Sequence, residues 1–311
     1  MAVITHVGFS VTAGDGDLTR LENSLAQIAD LGADVADLGA DVAELSLFGH
    51  DLIAGGRVIE SRAKALAEIC AKFPLRYTAH GQIVSNFMDP VNLDRQKAVV
   101  RAMLELCERV GADVLVQHCG RSTIGTAPYR EAVDRMEREA LAEMAEVAKG
   151  RGVRIAFENI FGVETGEYRQ SPSEIAETVR AVGHPNVVGL IDFGHAYIEG
   201  TRLGLDWREE VRAMAAVTGH LHLHDNFGLP YTMTEFFHPS ESVALGIGDL
   251  HLPLGWGDIP FEAIFAEIDI LPGTAMIMEI GERFATERAE SLAVARHLAG
   301  IINDRGARAA A

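Results

Sequence analysis

The sequence predicts a (β/α)₈ TIM barrel spanning residues 1–311 as one domain. Three observations predict it. Eight short β-branched, apolar runs alternate with eight longer amphipathic stretches. Runs such as VRIAFE and VVGLID are apolar almost throughout, as parallel strands covered on both faces should be. The length of 311 residues suits one large α/β barrel. A doubly wound sheet is the alternative, but no GxGxxG follows the first strand.

In chain order, the strands are expected at 3–9, 42–47, 75–80, 113–118, 153–158, 187–192, 220–224 and 274–280. Helices are expected at 18–31, 58–73, 93–110, 129–149, 172–182, 206–217, 260–268 and 286–303. Gly111, Gly152 and Gly219 precede strands where a helix C-cap favours glycine. The heptad DLGADVA is repeated in tandem over residues 30–43, which predicts a lengthened helix or loop without catalytic meaning. If it is helical, Gly32 costs about 1 kcal/mol relative to alanine. Residues 226–256 form a connection far longer than the usual ~2–6 residues, and they carry aromatics, Asp249 and His251. This stretch is expected to act as a lid. The tail GARAAA is expected to fray.

The formal net charge is -18, from 27 Lys and Arg against 45 Asp and Glu. Such a surface repels phosphate backbones and fits a small-molecule enzyme, so no nucleic-acid partner is expected. Three cysteines without a CxxC pair suit a reducing cytoplasm. The N-terminus lacks the pattern of a signal peptide, and no apolar run reaches the ~18 residues of a membrane span. The sequence leaves oligomeric state open, a homo-oligomer included.

Residues able to bind metal recur at the C-terminal ends of the expected strands: His80, His118, Glu158, Asp192 with His195 three residues on, His222 and Glu279. In a barrel these ends converge on one mouth, where active sites lie. One histidine in an apolar strand is ordinarily a satisfied core residue. The same chemistry at six strand ends is not, because buried charge is costly unless paired. Glu158, Asp192, Asp249 and Glu279 would bring four negative charges together, and two charges ~4 Å apart repel by ~4 kcal/mol at an effective dielectric near 20. One to three divalent ions would relieve that. Mixed His and carboxylate ligands suit zinc, manganese, iron or cobalt better than magnesium or calcium.

The motifs FEN, DFGHA, HLHDN, GWGDIPF and MEIG resemble the xylose-isomerase-like barrel superfamily over nearly the whole chain. That superfamily includes sugar isomerases, epimerases, related lyases and endonuclease IV. The resemblance implies a Mn2+ or Zn2+ ion held by Glu158, Asp192, His222 and Glu279. It also implies a proton relay through Glu158 and Glu279, and His195 against a sugar-like substrate. Asp249-Leu250-His251 followed by GWG resembles the endonuclease IV ligand segment, which extends the implied ligand set to His80, His118, His195, Asp249 and His251. The leading expectation is a metal-dependent sugar isomerase, epimerase or related lyase. The alternative is metal-dependent phosphodiester hydrolysis at abasic DNA, which the acidic charge disfavours.

Further residues carry open readings. Arg121 holds a substrate oxygen or is a solvated loop charge. His50 faces the mouth or caps its loop. His222 and His224 share one face of a strand by period two, so their roles are not separable from spacing. Residues 235–238 line a pocket or pack their own loop. Cys119 lacks a paired base and reads as packing.

Overall fold

The computed structural model describes residues 2–11, 16–31, 39–124, 127–164 and 166–309. Eight strands close into a barrel: β1 Ile4–Ser10, β2 Val42–Ser46, β3 Arg76–His80, β4 Ala112–His118, β5 Arg154–Glu158, β6 Val187–Asp192, β7 Thr218–Leu223 and β8 Thr274–Met278. Each pairs in parallel with its sequence neighbours, and β1 pairs with β8 to close the ring. Around it run α1 Leu18–Asp30, α2 Glu60–Cys70, α3 Leu93–Val110, α4 Ala127–Gly150, α5 Pro172–Val182, α6 Phe193–Leu203, α7 Trp207–Ala215, α8 Pro239–Leu245, α9 Phe261–Phe265 and α10 Arg288–Ala309.

Helical periodicity explains the outer layer. Leu21, Leu25 and Ile28 of α1 fall on one face and are fully buried. Val100, Met103, Leu104 and Cys107 of α3 do the same. These faces meet the outward side chains of the strands in one continuous core, where each buried large aliphatic residue contributes about 1.5–3 kcal/mol. Inside the ring, Val114, Val116, Ala156, Val188 and Leu190 form a separate apolar layer beneath the mouth.

Local signals set several helix ends. Ser171 and Glu174 form a capping box around Pro172 at the start of α5. Gly111 ends α3 at φ 73°, in the left-handed region that glycine tolerates. Gly219 does not act this way. It lies within β7, which begins at Thr218, and Ala216 caps α7.

The structure departs from the expected elements in other places. Two short strands, Ile53–Ala54 and Arg57–Val58, form a hairpin after β2. α6 follows β6 without a break, and the long segment after β7 contains α8. The tail does not fray at Gly306, because α10 continues to Ala309. The question of a helix through Gly32 lies outside the described residues. Among the described residues, no helix is long and apolar enough to cross a membrane.

Candidate metal centre

Parallel register brings the strand-end residues side by side. His118 pairs with Glu158, and Asp192 pairs with His222. Asp192 also caps α6, accepting from the His195 backbone N–H at 2.7 Å. The helix therefore starts on a candidate ligand and delivers His195 one turn later. Gly194 is required between them, since a Cβ there would lie 2.2 Å from His224 Cε1.

Two pockets of ligand atoms result. In the first, Glu158 is central and fully buried. Its Oε2 lies 3.3 Å from His118 Nε2 and 3.5 Å from His80 Nε2. Its Oε1 lies 3.3 Å from His222 Nδ1, which is 3.5 Å from Glu279 Oε2. In the second pocket, Asp249 lies 3.4 Å from both His195 Nε2 and His224 Nε2, and 2.9 Å from His251 Nε2. His251 stacks on His224 with ring centroids 4.2 Å apart. Asp192 Oδ1, 3.3 Å from His224 Nε2, connects the pockets.

The ring tautomers are directed. His80 donates its Nδ1–H to the Gly81 carbonyl at 3.0 Å, His195 to Asn159 at 3.1 Å, and His251 to Glu279 at 2.7 Å. A carbonyl can only accept, so each ring turns its Nε2 into a pocket, where it offers a lone pair once the second ring proton is lost. His251 holds this pose at φ 47°, a left-handed conformation uncommon for a non-glycine residue.

The donor set fits divalent metal. Both Glu158 oxygens, Asp192 Oδ2, Asp249 Oδ1, His222 Nδ1 and both ring nitrogens of His224 are buried without a hydrogen-bond partner among the described residues. Buried polar atoms are ordinarily satisfied. A tetrahedral ion with bonds of about 2.1 Å sets its ligand atoms about 3.4 Å apart, close to the 3.3–3.5 Å spacings of the first pocket.

Electrostatics agree. Burial pushes the Glu158 carboxyl up, but the His118 and His222 imidazoles hold it well below the usual carboxylate range. Burial likewise opposes charge on His80 and His251. Hydrogen bonding and charge from Glu158 nevertheless raise His80 to about 9, and Asp249 raises His251 to about 10. The carboxylates thus hold cations in the pockets, protons in this case.

A cavity of about 450 Å³ opens above the pockets, and His80, His118, His195, Asp249, His251 and Glu279 reach it. Its walls are largely apolar, with Phe48 edge-on to His80 and Phe161 against His195. From the long segment after β7, Tyr231 stacks on Phe161, and its hydroxyl accepts from the Asp249 N–H. Arg121 does not line this cavity. It is exposed, and its backbone is held by Asn86 beside a separate surface cavity. Arg169 lines the cavity above the pockets instead.

His50 is buried and does not line the cavity; its carbonyl accepts from Arg62 at 2.8 and 2.9 Å, and neither ring nitrogen has a hydrogen-bond partner among the described residues. Residues 235–238 lie at the surface, with Phe237 fully exposed. Cys119 is buried, and burial pushes its thiol up to about 12, so it packs as a neutral group. His222 and His224 are both functional candidates, one in each pocket. Glu44 and His220, which line the barrel interior below His222, were not singled out from the sequence. Glu44 in a five-residue apolar strand is the signal that was available.

A family model for xylose isomerase-like TIM barrels matches residues 33–299. The chain belongs to that family. Among solved structures, this xylose isomerase-like barrel is similar to a D-psicose 3-epimerase crystallised in the presence of D-fructose. The TM-score is 0.66 at 14% identity, covering 95% of this chain and 100% of the other. It is similar as well to the IolI protein with a bound zinc atom, with TM-score 0.66, 15% identity, and 96% and 99% coverage. An uncharacterized protein from Methanocaldococcus jannaschii is 22% identical over 206 residues, which is 66% of this chain. The chain spans 63% of that relative's length.

Proposed function

We propose that this barrel is a divalent-metal-dependent sugar isomerase, epimerase or related lyase. It acts by removing a proton beside a carbonyl of an uncharged keto-sugar or polyol derivative. The observation that carries this reading is the convergence of Glu158 and Glu279 on His222 Nδ1 at 3.3 and 3.5 Å, beneath a cavity that Glu279 lines. Glu158, Asp192, His222 and Glu279 would hold the principal Mn2+ or Zn2+ ion. His195, His224, Asp249 and His251 would hold a second. A bound ion supplies Lewis-acid polarisation of the substrate carbonyl.

The chain's own residues do the rest. One of Glu158 and Glu279 takes the proton from the carbon next to the carbonyl. The other returns a proton to the opposite face, or protonates a leaving group. His195, at the cavity wall beside Phe161, would orient substrate oxygens through its Nε2 when that nitrogen does not hold the second ion. Closure by the segment around residues 226–256 would exclude water during the step.

Substrate charge follows from the lining. Among the described residues the cavity wall contains no lysine, and Arg169 is its guanidinium. Arg169 donates Nε–H to Glu167 at 2.8 Å and Nη1–H to the Cys119 carbonyl at 3.3 Å. With that cation engaged and Asp249, Glu279 and Glu282 on the wall, an unphosphorylated substrate fits better than a sugar phosphate. The test is a screen of metal-loaded protein against ketoses, keto-acids and keto-glycosides in deuterated water, read by deuterium entry next to the carbonyl. Absence of exchange in every class would sink the proposal.

One observation favours a second reading. Two adjoining ligand pockets suit phosphodiester hydrolysis by a multinuclear centre. Nicking of an abasic oligonucleotide, lost on Glu279→Gln, would select it.

A further inference from the structure

Glu44 presents an anomaly in the barrel interior. That interior is ordinarily filled by branched aliphatic side chains, yet Glu44 on β2 is fully buried there. Its Oε2 accepts from Thr78 Oγ1 at 2.9 Å and lies 2.9 Å from His220 Nε2. Its Oε1 lies 2.8 Å from His222 Nε2. Thr78, His220 and His222 are also fully buried. Glu44 does not line the cavity and sits behind His222, on the side of the ring away from Glu158 and Glu279.

His80, His195 and His251 are each turned by a backbone carbonyl at Nδ1 and offer Nε2. His222 is reversed. Its Nδ1 faces Glu158 and Glu279, and its Nε2 faces Glu44. Among the described residues no backbone carbonyl bonds this ring, and the group facing its Nε2 is a side chain from another strand.

We propose that Glu44 is a positioning residue: its Oε1 and His222 Nε2, 2.8 Å apart and not yet hydrogen-bonded in the metal-free chain, pair when an ion binds, so that Glu44 takes the Nε2–H and keeps a lone pair on Nδ1 for the ion held between Glu158 and Glu279. Thr78 and His220 hold the Glu44 carboxylate from below. A carboxylate behind a ligating imidazole fixes the ring and raises its basicity, and losing such a partner weakens metal binding by roughly 10–100-fold. A glutamine at position 44 keeps the size but introduces an N–H donor. When that donor faces His222 Nε2, the ring proton moves to Nδ1 and the ligating lone pair is lost. The inference rests on the reading of Glu158, Asp192, His222 and Glu279 as a metal pocket.

The experiment uses metal-stripped full-length protein as wild type, Glu44→Gln and His222→Ala. Zinc affinity is measured by chelator competition, the ligand field by the visible spectrum of the cobalt(II) form, and folding by the melting temperature of the metal-free protein. Glu44→Gln should weaken the affected zinc site by about 10–100-fold and alter the cobalt bands, with the metal-free melting temperature near that of wild type. In zinc-loaded wild type, long-range proton–nitrogen correlation of the His222 ring should show the proton on Nε2. A proton on Nδ1 would overturn the proposal even if Glu44→Gln failed to fold. Unchanged affinity and spectrum in a folded Glu44→Gln, with the site lost in His222→Ala, would also overturn it while leaving the metal pocket intact. If wild type binds no zinc, the metal reading itself falls.

Discussion

Metal uptake by this centre should release protons, and its affinity should climb with pH. In the metal-free protein His80 titrates at about 9 and His251 at about 10, against about 6.5 for an unperturbed histidine. Both pKa values are raised in the fold. Their contribution to metal-free stability is therefore fully present below about pH 6.5 and is lost as pH rises through 9 for His80 and 10 for His251. An ion needs the neutral ring. At about pH 7, His251, a ligand of the second ion, lies three units below its pKa of about 10, so binding there costs about 4 kcal/mol in deprotonation. One proton per ion predicts about a tenfold gain in affinity per pH unit, hence about 100-fold between pH 7 and 9. His195 and His222 are also raised well above 6.5, since nearby carboxylates outweigh their burial, and this steepens the slope. Isothermal titration in buffers of different ionisation enthalpy measures the protons directly. Release of less than one proton per zinc at about pH 7, or a flat affinity profile up to about pH 9, would refute the reasoning.

Four further outcomes are expected. Glu158→Gln or Glu279→Gln should stop solvent deuterium entering the carbon next to the substrate carbonyl, even in metal-loaded protein; wild-type exchange in a metal-replete variant would dismiss the two-carboxylate relay. His224→Ala should lower zinc stoichiometry by one ion while sparing the pocket at Glu158, as read by elemental analysis. Asp225→Ala should destabilise the fold by about 2–4 kcal/mol in urea unfolding, because its carboxylate accepts from the Asn226, Gly255 and Ile259 N–H groups at 3.0, 2.9 and 3.3 Å. Abasic duplex DNA should be neither nicked nor bound in a salt-dependent way, given the net charge of -18; robust nicking would reverse the functional ranking.

Much of the fold was legible because it follows from local patterns. The apolar runs that became β5 and β6 have no polar face to expose, which is the mark of a parallel strand covered on both sides. Leu21, Leu25 and Ile28 state the buried face of α1 through helical spacing alone. The line of His80, His118, Glu158, Asp192 and His222 was readable too, since parallel strands share one C-terminal end. α6 was missed for a local reason: Asp192 ends a strand and caps a helix at once, so no linker announces the change. Gly219 misled because a glycine before an apolar run reads the same as a cap or as the second residue of a strand.

What composition and spacing determined, then, was a barrel with acidic and imidazole groups at its mouth. Only the tertiary structure decided which groups meet. His222 and His224 point the same way by pleat, and the segment carrying Asp249 and His251 assigns them to different pockets. Arg121 and Arg169 are both arginines in loops beyond strand ends, and only chain path puts the second in the cavity. Glu44 and His220 are 176 residues apart in sequence and 2.9 Å apart in space. Closure of the ring creates that contact. No periodicity within either strand encodes it, because it depends on the distance across the barrel.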